Sequence, residues 1–253
     1  MKIWTDLNDV PMNSFCSEQM IIAPYLPIEW IQRLPDYADI HTYIKTIKKS
    51  IILVDSITLC DYIVYPKKLD ASELLIKYLQ FGQKHNKKVL GFYNDDNASP
   101  ITINNLIVFR TSLYKSKQKP FEYGLPAWSI DFKPYQTTRL HAPKPVVGFC
   151  GYLGHVETSI RQRTIDKLVK CSQIDTNFLI RNHFWGGVPH DPTIRGGYIK
   201  NMQNSDYIVC TRGSGNFSYR LYETLSMGRI PLFIDTDCVY HLIMILIMLN
   251  IFR

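Results

Sequence analysis

The chain has 253 residues, of which 46% are hydrophobic and 13% aromatic, enough to bury one large core or two small ones and too apolar for a disordered chain. Lys and Arg number 29 against 22 Asp and Glu, a formal charge of +7 that favours anionic ligands. The basic residues are scattered, as in Lys48–Lys49, Lys67–Lys68 and Lys87–Lys88, rather than gathered into a nucleic-acid-binding signature, so no nucleic-acid partner is expected.

In chain order, the runs Ser50–Asp55 ("SIILVD") and Asp61–Tyr65 read as strands, and Ser72–His85 has helical periodicity. Lys88–Tyr93 ("KVLGFY") and Asn104–Phe109 read as further strands. This alternation predicts an α/β domain with a mostly parallel sheet. The stretch "DFKPYQTTRLHAPKP" has three prolines and no periodicity, which marks a linker and places the division at 1–135, 136–145 and 146–238. The second domain opens with the strand Val146–Cys150, then Gly151 and Gly154, a helix over Ser159–Cys171 that carries Arg161 and Arg163 near its start, and the strand Asn177–Arg181.

The segment "DYIVCTRGSGNFSYRLYETLSMGRIPLFIDTDC" contains two apolar runs, Tyr207–Cys210 and Ile230–Asp235, without alternation, as expected of parallel strands covered on both faces. Between them lie a glycine loop, Ser218 as N-cap, and a helix that Gly228 ends. A right-handed βαβ crossover puts such a loop at the carboxyl edge of the sheet, where amides and the helix dipole favour a phosphate. Two nucleotide classes fit. Gly213, Gly215 and Ser218 nearly copy the dinucleotide fingerprint, with Asp235 or Asp237 as the ribose acid, which would suit an NAD-type oxidoreductase. That reading leaves Arg212, Arg220 and Glu223 idle. In the other reading, Arg212 and Arg220 grip a diphosphate together with the 213–216 amides, and Glu223 accepts from sugar hydroxyls. The plain alternative is an exposed Arg220–Glu223 ion pair along the helix.

The six cysteines show no CxxC pair and no metal-ligand spacing with histidine, and read as buried thiols in a reducing compartment. His183 and His190 flank "FWGGVP" without a third ligand, so no metal site is expected. The N-terminus lacks a secretory pattern, which implies a cytoplasmic location, and no stretch is long enough to span a bilayer. A catalytic base is sought at strand ends. Asp95 and Asp96, just after "KVLGFYN", are its weak candidates, against simple turn chemistry.

The run Arg212, Gly213, Gly215, Ser218, Arg220, Glu223, Gly228, Ile230 and Pro231, ending in "FIDTDC", resembles the nucleotide-sugar-binding segment of exostosin-family glycosyltransferases. The resemblance extends, more loosely, over "PVVGFCG", the helix with Arg161 and Arg163, "GGYIKNMQNSDYIVC", "DYIVYPKKL" and "FRTSLYKSKQKPFEYGLPAW". It implies two Rossmann-like domains facing a cleft (GT-B type), with an acceptor side in 1–135 and a donor side in 146–238. It also implies inverting transfer from a nucleotide-sugar donor to a glycan acceptor, without a metal or a separate cofactor. Donor contacts are then expected from Arg212, Gly213, Gly215, Ser218, Arg220, Glu223, Arg161, Arg163 and Gly151. Family members continue after the cysteine matching Cys238 with a leucine-proline-aromatic-aspartate segment, whereas here "VYHLIMILIMLNIFR" follows. Codons for Val239 onward can be chosen so that a shifted frame reads Leu-Pro-Phe-Asp-Tyr-Asp-Ile-Asn-Tyr. The expectation is therefore an out-of-frame tail over 239–253 and an incomplete second domain. The alternative to a working transferase is an inactive remnant that only binds nucleotide or glycan.

Overall fold

The structure is a computed structural model; it describes residues 1–11, 21–27, 29, 44, 48–127, 129–138, 143–154, 159–188 and 191–239. The tail beyond Val239, His190 and part of the 136–145 stretch lie outside the described residues. The chain divides into two compact units. One comprises Met1–Trp128, Ser214–Phe217 and Asp237–Arg253, the other Ser129–Gly213 and Ser218–Thr236.

The first unit is built on β1 (Lys2–Trp4), β2 (Ile52–Leu53), β3 (Tyr62–Lys68), β4 (Lys88–Tyr93), β5 (Leu106–Arg110) and β6 (Glu122–Gly124). These form one sheet in the order β2-β1-β3-β4-β5-β6, every pairing parallel. Both faces are covered, which is why the central strands are apolar without alternation. Val64, Leu90 and Phe92 pack with Ile3, Ile22 and Leu26 on one side. Ile63, Tyr65, Val89 and Val108 meet Leu75 and Tyr78 on the other. Those last two residues come from α1 (Glu73–His85), which Ser72 caps by accepting from the Leu75 amide and which ends at Asn86 in the left-handed region. Pro66 interrupts β3, and the β3–β4 register shifts between Val64 and Lys68, as a residue without an N–H requires.

The second unit holds β7 (Val146–Tyr152), β8 (Asp175–Arg181), β9 (Tyr207–Cys210) and β10 (Ile230–Phe233), again all parallel, in the order β10-β9-β7-β8. Its helices are α2 (Ile160–Val169), α3 (Pro192–Gln203) and α4 (Tyr219–Ser226). Val147, Phe149, Val209 and Ile165 form the core under α2, joined by Leu168, Phe178 and Leu232. Segment 129–138 packs on this unit: Phe132 is fully buried, its amide donates to Ser226 Oγ, and its ring meets Tyr198 edge-on.

Several elements differ from the sequence reading. β1 and β6 are three residues each, too short to show a period, and the Ser50–Asp55 strand shrinks to Ile52–Leu53 at the sheet edge. α3 was not expected, because Gly196 and Gly197 weaken helical propensity. Asp191 caps it through the Thr193 and Ile194 amides, and Pro192 opens it. Gly197 also has a packing role: a Cβ there would stand 2.8 Å from Arg181 Nη2.

Candidate functional site

Two βα junctions of the second unit carry an arginine at the same place. Arg161 is the second residue of α2 and Arg220 the second residue of α4. Both guanidinium groups turn back to the carboxyl edge of the sheet. Arg220 Nη2 donates to Cys150 O (2.7 Å) and Nη1 to Val209 O (3.4 Å), and its guanidinium lies 4.5 Å from the Phe149 ring centroid. Arg161 Nη1 donates to Tyr152 O (2.8 Å), and its Nε to Arg212 O (3.1 Å) and Thr211 Oγ1 (3.2 Å). Gly151 makes the approach of Arg220 possible, since a Cβ there would lie 2.8 Å from Arg220 Nη2.

Among the described residues, the hydrogen-bond partners of both arginines are neutral oxygens. Among the described residues no carboxylate forms an ion pair with either one. Burial, and then the neighbouring Arg220 charge, push the Arg161 pKa down to about 10, so the group is a strained cation that is still charged at neutral pH. Arg161 Nη2 lies 3.7 Å from the position of a Cβ on Gly213, beside the exposed start of the glycine loop. Two arginines and two helix N-termini thus stand at one sheet edge, an arrangement chemically able to receive an anionic group such as a phosphate ester.

Glu223 is part of the same group through Tyr198, which the sequence reading missed. The Tyr198 hydroxyl donates to Glu223 Oε2 (2.6 Å) and accepts from Arg220 Nε (3.4 Å). Arg220 and Glu223 are thus half-buried and bridged, not an exposed ion pair. Burial raises the pKa of Glu223 and holds the Tyr198 hydroxyl protonated. Tyr198 lies on a helix whose identity was not legible, and nothing in the spacing of its neighbours marks it.

The other expected residues are placed differently. Arg163, two residues past Arg161 and so on another face of α2, is exposed. Arg212 contributes its carbonyl to Arg161, and Gly213 is exposed. Ser218 is the N-cap of α4 but its side chain makes no capping bond. Gly215 belongs to the first unit, where a Cβ on it would stand 2.6 Å from Asp96 Oδ1. The Asn216 amide, expected among the phosphate donors, donates instead to Ser112 Oγ (2.9 Å). Asp95 pairs with Lys68 and accepts from the Asn97 amide (2.7 Å), a turn-forming arrangement that holds its carboxyl below the usual range, the Lys68 contact first. Asp96 is exposed. Asp237, one of the two ribose-acid candidates of the dinucleotide reading, accepts from the Ser116 amide and hydroxyl within the first unit.

Arg110 and Glu122, which had no role in the sequence reading, form a fully buried ion pair at 2.8 Å. Arg110 also donates to Asn97 O and Ser99 O, and Glu122 accepts from the Ile101 and Lys119 amides. Cys60, Cys150, Cys210 and Cys238 are buried thiols, and burial pushes Cys210 up to about 12. Among the described residues no three His, Cys, Asp or Glu side chains gather as metal ligands, and no helix is long and apolar enough to cross a membrane.

Residues 130–241 match the family model described as the RXYLT1 C-terminal domain, which belongs to the exostosin-like glycosyltransferase group. The matched span covers nearly all of the unit that carries Arg161, Tyr198, Arg220 and Glu223. No curated protein matches the chain.

Proposed function

We propose that this chain is a glycosyltransferase that moves a sugar from a nucleotide-sugar donor to a glycan acceptor, with inversion at the anomeric carbon. The two units would serve as the two domains of a GT-B type enzyme. The observation that supports this reading is the Arg161–Arg220 pair, two guanidinium groups held at the sheet edge by backbone carbonyls and hydroxyls. In an inverting displacement the acceptor oxygen attacks the anomeric carbon opposite the diphosphate, and the bond to the diphosphate breaks with its electrons. Arg161 and Arg220 would stabilise the charge that develops on that leaving group, which makes a divalent ion unnecessary. Glu223, oriented by the Tyr198 hydroxyl, would accept from a hydroxyl of the donor. The acceptor proton passes to a base that these residues do not identify.

The test is release of nucleoside diphosphate from a panel of sugar nucleotides, with and without glycan acceptor, in excess chelator. Turnover in chelator supports the reading. Activity that vanishes in chelator and returns with manganese overturns the metal-free step. Binding of the donor without any turnover identifies an inactive remnant.

A further inference from the structure

The turn after β8 contains a tryptophan that the reading above does not use. Trp185 is 73% exposed, the most exposed of the large hydrophobic side chains among the described residues. Its backbone is left-handed (φ 54°, ψ 18°), a region uncommon for any residue but glycine, and Gly186 (φ 73°) and Gly187 (φ 95°) continue it. The turn is anchored on both sides. The Phe184 ring packs edge-on to Tyr152 at 4.9 Å, and Gly186 sits so close to α3 that a Cβ would meet Ile194 Cγ2 at 2.6 Å. The Gly186 amide closes the turn on His183 O (3.2 Å). An aromatic side chain displayed on an anchored turn loses little entropy when a flat ligand stacks on it.

The position of this turn identifies the ligand. Tyr152, which supports Phe184, is the residue whose carbonyl holds Arg161, and it pairs with Arg181 at the end of β8. The turn therefore follows the strand next to the one that anchors the phosphate-binding arginine, about 4.8 Å away. We infer that the Phe184–Trp185 turn is the stacking platform for the nucleobase of the donor whose diphosphate lies at Arg161 and Arg220. The inference rests on the donor reading for its phosphate end. Its aromatic end takes a purine or a pyrimidine, because every base presents a π-face.

The experiment is calorimetric titration of the full chain with inorganic pyrophosphate, uridine diphosphate and adenosine diphosphate. It compares the wild type with Trp185→Ala and Trp185→Phe, with circular dichroism as a check on folding. Trp185→Ala should weaken both nucleoside diphosphates about tenfold and leave pyrophosphate unchanged, and Trp185→Phe should restore most of the loss. A wild type that binds pyrophosphate as tightly as the nucleotides overturns the platform and leaves the phosphate site standing. So does a Trp185→Ala chain that binds all three as the wild type does, or that loses pyrophosphate in equal measure. A wild type that binds none of the three overturns the donor reading and the platform together.

Discussion

Each unit of this protein sets aside arginine in a different way. In the first, Arg110 is buried completely against Glu122, and its remaining donors go to the carbonyls of Asn97 and Ser99. In the second, Arg161 and Arg220 lie near each other with carbonyls as partners and a tyrosine in place of a carboxylate. The first arrangement is electrically closed and serves as scaffold: it ties the 97–101 segment to β5 and β6. In the second, among the described residues, no carboxylate contacts either guanidinium directly, and Glu223 reaches Arg220 only through the Tyr198 hydroxyl. A buried arginine is thus evidence of a binding site only when its countercharge is missing.

The largest expected effect lies on the closed side. Glu122→Ala would strand the Arg110 charge in a dry core and leave the Ile101 and Lys119 amides without an acceptor, costing about 3–5 kcal/mol. Urea denaturation measures it, and a loss under about 1 kcal/mol would mean that water reaches the pair.

On the open side, Glu223→Gln should weaken donor binding by about 1–3 kcal/mol while the fold persists. Its pH dependence has a definite sign. Burial raises the folded pKa of Glu223, so the stability this group contributes is full below the ordinary carboxylate range and is lost as pH rises through the folded pKa. Wild-type stability minus that of Glu223→Gln should therefore fall as pH rises above the ordinary carboxylate range. A flat difference would place Glu223 in water.

Tyr198→Phe separates bridge from packing, because the ring against Phe132 remains and only the hydroxyl goes. Nucleoside diphosphate affinity should drop by about 1 kcal/mol, and the effect of Glu223→Gln should shrink in the double variant, since one removes and the other weakens the same charge-assisted hydrogen bond. Additive losses would contradict the bridge.

The smallest effect belongs to Asp95→Asn. The Lys68–Asp95 pair is partly exposed, which limits it to less than about 1 kcal/mol. Because Lys68 lowers the Asp95 pKa, this contribution is present above the unfolded value and disappears as pH falls through the folded one. Denaturation at pH 7 and pH 3 measures it.

Apolar runs made β4 and β9 legible residue for residue, and the runs at β7 and β9 led to the two helix starts where Arg161 and Arg220 stand. What could not be read depends on tertiary contact. Val108 pairs with Glu122 in the β5–β6 register, and only that register brings Arg110 and Glu122 together across twelve residues. Tyr198 reaches Glu223 from a helix whose glycines argue against a helix. The glycine loop has packing roles that its composition does not reveal: Gly215 fits against Asp96, and the amide of Asn216 donates to Ser112 Oγ. A phosphate loop and a packing loop share the same residue types.

The most direct test of the account is calorimetric binding of a nucleoside diphosphate in excess chelator, at several salt concentrations, to the wild type and to Arg161→Ala and Arg220→Ala. The account predicts metal-free binding that weakens with salt, falls on the order of a hundredfold in Arg220→Ala, and falls nearly as far in Arg161→Ala, with folding retained in both. Binding that survives both substitutions unchanged, or that requires a divalent ion, would contradict it.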